Sequence, residues 1–390
     1  MKEERLIYLD NNATTKVDEL VYLKMERFLR ESYGNASAAY SFGRQSRDAL
    51  QEARQHVAFL LGAKEQEIVF TSCGSESNNA VISSAVATEA SRKKIITSSV
   101  EHMAVLEPIR HLKKNGYEVI ELRVDTDGNL DRDQYLSEID DNTALVSVMW
   151  ANNENGVIFP VEELARSAKA KGALFHTDAV QALGKIPIDL SRNPAIDFVS
   201  FSGHKLHAPK GVGGLYIKEG TPFEPFIRGG HQERNLRAGT ENVASIVALG
   251  EACRLAQEHI EEDTPRIRYL RNKLQKGLTE KIAFSRVNGE VDNRLANTLS
   301  IAFRNIVDEG ILQALSRAGI CASSGSACTS GSLDPSHVMK AMGLPPEYIT
   351  GVFRFSLSRL TTEAEIDEII SVLPPLIEEQ RSFSIFEESG

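Results

Sequence analysis

Apolar residues near the start of the chain follow helical spacing in two stretches. One covers residues 17–30, and a longer amphipathic pattern covers residues 42–61 and stops at Gly62. Apolar residues that recur every three to four positions indicate a helix with one buried face, and glycine often ends such a helix. The short apolar run 6–10 stops at two asparagines, which predicts an extended segment followed by a turn.

From Glu67 onward, short apolar runs alternate with helical patterns. Strands are predicted at residues 68–71, 94–97, 118–124, 145–149, 173–177, 197–201 and 214–217, and helices at 76–86, 105–112 and 161–170. Near-continuous apolar strands that alternate with helices are typical of a mostly parallel sheet covered on both faces. The chain is therefore predicted to be an α/β protein whose ligands bind outside the carboxyl ends of the strands.

The pattern changes after Thr240. A helical run at 243–259 is followed by Thr264 and Pro265, which predict a break or kink before a second helical run to Gly277. Beyond it, the predicted elements are strands at 298–303 and 352–356 and helices at 309–319 and 363–373. We therefore predict a large domain of residues 16–255 and a smaller α+β domain of residues 1–15 and 256–390.

Composition excludes several classes of function. Acidic residues outnumber basic ones by 54 to 44, for a net charge of −10, which argues against direct binding of nucleic acid. No apolar run approaches the roughly 20 residues of a membrane helix, and the charged start lacks a signal peptide's apolar core, so a cytoplasmic location is expected. Cys73, Cys253, Cys321 and Cys328 lack the spacing of a zinc site or a disulfide framework, so at least some free thiols are expected. Cys321 and Cys328 are close enough in sequence for a bridge, which a reducing cytosol disfavours.

A lysine follows the apolar strand at 197–201. Ser202, Gly203 and His204 cannot extend that strand, and they bring Lys205 to a turn. A partly desolvated lysine is a nucleophile toward carbonyl groups and the usual anchor of pyridoxal phosphate (PLP). The alternative is a solvated lysine in a hairpin.

Other polar residues also follow predicted strands. Asp178 comes directly after Thr177, where a carboxylate either caps a helix or keeps a pyridinium nitrogen protonated. Gly74 and Ser75 lie between a strand and a helix, where free amides and the helix dipole attract phosphate. Many strand-to-helix turns share this feature, and a lone histidine such as His102 is more often structural than catalytic.

Taken together, the polar motifs resemble those of the cysteine desulfurases of the NifS/IscS type, in the class V aminotransferase family. The motifs are Ser202-Gly203-His204-Lys205, Asp178 with Gln181, Glu101-His102, Thr-Ser-Cys-Gly-Ser-Glu-Ser-Asn at 71–78 and Ser-Ser-Gly-Ser-Ala-Cys-Thr-Ser at 323–330. The resemblance runs from 8–11 to 354–357. It implies a PLP-dependent transferase of fold type I, with a mostly parallel seven-stranded sheet and a smaller α+β domain. The segment around Cys328 is its most specific part and resembles the group that carries this cysteine on a long mobile loop.

The resemblance implies a role in cofactor binding for individual residues. Lys205 matches the Schiff-base lysine, Asp178 the partner of the pyridine nitrogen, and Gln181 the donor to the ring hydroxyl oxygen. His102 matches the residue that stacks on the ring and transfers protons. The implied phosphate contacts are Gly74, Ser75, Ser202 and His204.

Further matches concern the substrate and the partner subunit. Asn153 and Arg354 match residues that hold the substrate carboxylate, and Asn153 is also expected near the cofactor. Thr240 matches a threonine that reaches the phosphate of the other subunit, which implies a homodimer. Cys328 matches the cysteine that takes sulfur from the substrate as a persulfide.

The implied activity is conversion of L-cysteine to L-alanine, with sulfur supplied to iron–sulfur cluster assembly or other thio-cofactors. An iron–sulfur scaffold protein is an expected sulfur acceptor, but the tail at 383–388 does not resemble the longer tail by which some members dock one. Cys73 also departs from the glycine or other small residue that is more common there. An aminotransferase or selenocysteine lyase of the same fold would share Lys205 and Asp178 without the same need for Cys328. A silent regulatory partner should lack Lys205 or Cys328, and both are present.

Overall fold

The computed structural model describes residues 6–324 and 335–383. The α-helices in these ranges are α1 (Glu19–Arg30), α2 (Ser41–Leu61), α3 (Gly74–Thr88), α4 (Met103–Lys114), α5 (Arg132–Glu138), α6 (Val161–Ala170), α7 (Val243–Lys281), α8 (Asp308–Arg317), α9 (His337–Ala341), α10 (Pro346–Ile349) and α11 (Glu363–Phe383). The strands there are β1 (Ile7–Tyr8), β2 (Ile68–Thr71), β3 (Lys94–Ser98), β4 (Glu118–Leu122), β5 (Thr143–Ser147), β6 (Leu174–Asp178), β7 (Phe198–Ser202), β8 (Gly213–Ile217), β9 (Ser285–Val287), β10 (Thr298–Phe303), β11 (Ile320–Cys321), β12 (Ser323–Ser324) and β13 (Val352–Ser356).

A seven-stranded sheet forms the centre of the molecule, with the order β2-β8-β7-β6-β5-β3-β4. The pairs from β7 to β4 are parallel, and β8 runs antiparallel to both of its neighbours. Alternate side chains point to opposite faces, so Val199 and Phe201 pack in one apolar core and Phe198 in another. The predicted α/β fold with a mostly parallel sheet is confirmed.

The two predicted N-terminal helices are present as α1 and α2. Gly62 follows α2 with a φ of 62°, the left-handed conformation that a residue with a Cβ adopts only at a cost. Its N–H donates to the carbonyls of the last turn, at Ala58 and Phe59. The sequence signal for the end of this helix was therefore correct.

The long helix α7 continues through Pro265, so the predicted break is wrong, and a kink there stays a prediction. Proline removes one backbone hydrogen bond from a helix. Both halves of α7 are nevertheless buried: Leu249 packs in the core beside the central sheet, and Leu274 packs in the core of a second sheet. Packing on both sides of the proline stabilises the helix across it. The short helix α5 and strand β9 were not predicted, since so few residues carry little periodic signal.

The second sheet has the order β12-β13-β10-β9 and is antiparallel. Its core contains Ile7 and Leu9 from the start of the chain together with Leu274 and Phe353. The assignment of residues 1–15 and 256–390 to a small domain stays a prediction, because residues such as Leu295 and Val338 pack in the core beside the central sheet. Among the helices described, none has the length and apolar character needed to cross a membrane.

Candidate active site

A cavity of about 310 Å³ opens at the carboxyl ends of the central strands. Ten of the residues singled out in the sequence line it: Gly74, Ser75, His102, Asn153, Asp178, Gln181, Ser202, His204, Lys205 and Arg354. Asn12, Ala13 and Asn78, to which the sequence analysis assigned no role, line it too. Strand ends far apart in the chain thus bring these polar side chains to one place, as expected for a parallel sheet.

Lys205 reaches the cavity from the turn that follows β7. Its Nζ donates to the carbonyl oxygens of Asn12 and Ala13, each at 2.6 Å. Burial, followed by the nearby charge of Arg354, lowers the pKa of Lys205 to about 8. A larger share of this amine is neutral near pH 7 than for an exposed lysine, and the neutral amine is the nucleophilic form.

Asp178 ends β6 beside Lys205. Its Oδ1 accepts a hydrogen bond from the N–H of Val180 at 2.9 Å, and its Oδ2 accepts one from Asn78 Nδ2 at 2.7 Å. Residues 180–185 form a turn and not a helix, so this oxygen stabilises the turn after β6 and does not cap a helix. Asp178 lines the cavity, and a carboxylate oxygen can accept a further hydrogen bond from a ligand.

The start of α3 provides donors for an anion. Cys73 precedes the helix and makes no side-chain capping bond, so the first amides of α3 lack a side-chain acceptor there. A Cβ at Gly74 would lie 2.7 Å from Val180 Cγ2, so only glycine fits without displacing Val180. Ser202 Oγ is buried and has no hydrogen-bond partner among the described residues.

His102 stands at the start of α4, where its Nδ1 accepts a hydrogen bond from the N–H of Ala104 at 3.1 Å. The proton of the neutral ring therefore lies on Nε2. Glu101, just before it, accepts from Ser98 Oγ at 2.6 Å and from the N–H of Met149 at 2.8 Å. Burial raises the pKa of Glu101 to about 8. These bonds connect the ends of β3 and β5 and place His102 at the cavity.

Arg354 enters the cavity from the second sheet. Its Nη2 donates to Asp10 Oδ1 at 2.8 Å and to Ser323 Oγ at 3.0 Å, and its Nη1 donates to the carbonyl of Asn153 at 3.1 Å. Its Nε is buried and has no partner within the described ranges. The guanidinium can therefore offer a further donor to an anionic ligand.

Gln181 and His204 complete the lining. Gln181 Nε2 donates to the carbonyl of Asn12 at 2.9 Å, and its Oε1 accepts from Lys185 Nζ at 2.6 Å. Burial, followed by Lys205, lowers the pKa of His204 to about 4, so its ring is neutral near pH 7. Asn12 carried only a turn signal in the sequence. Lys185 follows Gln181 by four residues, a spacing that brings side chains together on a helical turn.

Two predicted site residues are not brought to this cavity by the described chain. Thr240 lines a different cavity, together with Ser72, Glu233 and Arg237. Cys328 lies outside the described residues.

Comparison with known proteins agrees with the fold and the cavity. The family model of the class-V aminotransferases matches residues 7–369, and the chain belongs to that family. Cysteine desulfurase NifS of Azotobacter vinelandii is 53% identical over 379 residues, which is 97% of this chain and 94% of that protein. The solved structure of a NifS-like protein has a TM-score of 0.90 and 39% identity, and the match covers 96% of this chain and 100% of that one. A structure described as SspA in complex with cysteine has a TM-score of 0.78 and 34% identity, covering 91% of this chain and 100% of that one.

The chain is a PLP-dependent enzyme of fold type I, and the lining of the cavity fits PLP. The cofactor needs an amine, an acceptor for its ring nitrogen and donors for its phosphate. Lys205 supplies the amine and Asp178 a carboxylate. Ser202 Oγ is buried without a described partner, and Cys73 makes no side-chain capping bond to the first amides of α3.

Proposed function

We propose that this protein is a cysteine desulfurase, which converts L-cysteine to L-alanine and transfers the sulfur to Cys328. The main support for the proposal is that Lys205, Asp178 and Arg354 line the same cavity. Together they provide an amine with a lowered pKa, a carboxylate and a guanidinium. The sequence identity to a named cysteine desulfurase over nearly the whole chain supports the same reaction.

Eight residues of this chain hold the cofactor in the proposed site. Lys205 anchors it through its amine, and Asp178 keeps the ring nitrogen protonated through a carboxylate oxygen. Gln181 donates to the ring oxygen, and His102 stacks on the ring. PLP, when bound, supplies an electron-withdrawing ring that stabilises negative charge at the α carbon of an amino acid. The phosphate contacts come from Gly74, Ser75, Ser202 and His204.

Arg354 and Asn153 hold the substrate. The guanidinium binds the substrate carboxylate, because a planar fork of donors matches its two oxygens. Asn153 lies beside Arg354, and its backbone carbonyl accepts a hydrogen bond from Arg354 Nη1. Lys205 then acts as the base that removes the α proton. A pKa of about 8 suits this task, since the amine is both available as a base and basic enough to take the proton.

Cys328 completes the reaction as a thiolate. Its sulfur attacks the sulfur of the substrate, so that an S–S bond forms while the C–S bond breaks and its electron pair stays with carbon. Lys205 or His102 returns one proton to that carbon and a second to the α carbon, which gives L-alanine and a persulfide on Cys328. This step rests on the resemblance of residues 323–330 to the family motif.

The enzyme acts as a homodimer in this proposal, and Thr240 of each chain serves the phosphate site of its partner. The exposure of Thr240 and its place outside the cavity of its own chain support that role. The sulfur acceptor is a protein, such as an iron–sulfur scaffold, and the proposed location is the cytoplasm, on the grounds of composition alone.

The decisive experiment separates the two halves of the reaction. Wild type, Cys328→Ser and the matched control Cys321→Ser are loaded with PLP and incubated with L-cysteine, and alanine, sulfide and protein-bound persulfide are measured. We expect Cys328→Ser to bind PLP and cysteine but to form no persulfide, because a hydroxyl is a far poorer nucleophile than a thiolate. Cys321→Ser should behave as wild type. Persulfide and sulfide at wild-type levels from Cys328→Ser would refute the role of Cys328, and a keto acid product in place of alanine would indicate an aminotransferase.

A further inference from the structure

Lys185 is a charged residue at the site for which the proposed mechanism has no task. It is half-buried behind Gln181, and it also lines a second cavity, bounded by Leu255 and Ala256 of α7. Its Nζ donates to Gln181 Oε1 at 2.6 Å and lies 3.5 Å from Asn12 Oδ1. Two amide oxygens thus face one amino group.

The contact determines how the carboxamide of Gln181 is turned. The ammonium form of Lys185 has donors and no acceptor, and the end of Gln181 that faces it is the oxygen Oε1. The Nε2 end consequently faces the carbonyl of Asn12, 2.9 Å away. That carbonyl also accepts from Lys205 Nζ at 2.6 Å. The N–H donors of Gln181 are therefore directed to the side on which Lys205 lies.

The surroundings of Lys185 are unfavourable for a cation. Burial, followed by the charges of Lys205 and Arg354, lowers its pKa to about 7. Three cationic side chains in one region repel each other, and such arrangements are more frequent at functional sites than elsewhere. An ammonium behind Oε1 also polarises the carboxamide, which makes its N–H groups stronger donors.

We propose that Lys185 is a positioning residue that holds the Gln181 carboxamide with its N–H donors toward the cofactor. This inference rests on the proposed function, in which Gln181 donates to the ring oxygen of PLP. In the absence of Lys185, the carbonyl of Asn12 is the one described contact left to oppose a half rotation of the carboxamide, and after that rotation Oε1 would face the ring oxygen as a second acceptor. A hydrogen bond would be replaced by repulsion.

The experiment measures the affinity of the PLP-free protein for PLP and the visible absorbance band of the loaded enzyme. Lys185→Met removes the donor and the charge at similar side-chain length, and we expect about tenfold weaker PLP binding and a shifted band. Lys185→Arg keeps a donor and should retain most of the affinity for PLP and most of the wild-type position of the absorbance band. If Lys185 acts through Gln181, the double variant Gln181→Ala/Lys185→Met should match Gln181→Ala alone, since no carboxamide is left to orient.

The controls separate this inference from the proposed function. Lys171→Met removes an exposed lysine and should bind PLP as wild type does. Should Lys185→Met fail to fold by circular dichroism, Lys185→Gln takes its place in the same comparison and is expected to bind PLP more weakly than wild type. Losses in the two single variants that add up in the double variant, or a Lys185 variant that equals Lys171→Met, would overturn the inference alone. A wild-type protein that does not bind PLP would overturn the proposed function itself.

Discussion

Two buried polar clusters of this protein differ in how fully their hydrogen bonds are made. In the first, Arg54 and Glu233 form a two-pronged ion pair at 2.7 and 2.8 Å. Arg54 also donates to the carbonyl of Ile68, and Glu233 accepts from the N–H of Phe70. The second cluster lines the active-site cavity, where Ser202 Oγ, Asn78 Oδ1 and Arg354 Nε are buried without partners among the described residues.

The difference indicates what each cluster is for. Buried polar groups are nearly always hydrogen-bonded, and leaving one unpaired costs about 1–3 kcal/mol. The two charged groups of the ion pair hydrogen-bond to each other and to backbone groups, and they need no ligand. The pair also stabilises the backbone at Glu233, Arg234 and Asn235, which have positive φ values of 44–67°. The cavity instead contains buried donors and acceptors without hydrogen bonds, which is favourable only if a bound ligand forms those hydrogen bonds. Substitutions should therefore affect stability at the first cluster and ligand binding at the second.

The largest effect is expected for Lys205→Ala. Loss of the amine removes both the anchor of the cofactor and the base, so turnover of L-cysteine should fall by at least about a thousandfold. The free energy of unfolding of the PLP-free protein should change little, because the hydrogen bonds of this lysine to the described residues go to two backbone carbonyls. Alanine production and urea denaturation measure the two quantities. Near-normal alanine production, or a large loss of stability, would contradict the division between the clusters.

A second effect concerns the ion pair. Glu233→Gln keeps the shape of the side chain but leaves the buried charge of Arg54 without a carboxylate, which should lower the free energy of unfolding by about 3 kcal/mol. Urea denaturation of the PLP-free protein measures this without the contribution of bound cofactor.

The matched control for Glu233 is Glu219→Gln, which breaks an exposed pair with Lys64. Exposed pairs contribute little because solvent and salt screen them, so no measurable change is expected. Equal stability of the two glutamine variants would show that the buried pair is not the structural cluster described above.

The sequence predicted the residues whose signal is local. Strand ends such as Ser202 and Asp178 could be located because apolar runs stop there, and these stops place both residues at one edge of the sheet. The continuity of α7 through Pro265 could not be predicted, since it depends on packing against two separate cores. The contact of Asn12 with Lys205 joins residues 193 positions apart, and no periodicity in a single sequence reports such a pair. The same holds for the bond between Asp10 and Arg354.

The smallest effect, and the finest test of the comparison, is expected for Ser202→Ala. The hydroxyl is buried without a described partner, so its removal should leave the PLP-free protein equally stable or slightly more stable. The same change should weaken PLP binding about tenfold, because a donor to the phosphate is lost. Thr97→Val is the matched control: its hydroxyl is also buried and unpartnered in the described chain, but Thr97 is not part of the cavity lining. Fluorescence titration of both variants with PLP measures the affinity for the cofactor, and urea denaturation measures the free energy of unfolding. If Ser202→Ala destabilised the PLP-free protein and bound PLP as tightly as Thr97→Val, open hydrogen-bonding groups would not mark the ligand site of this protein.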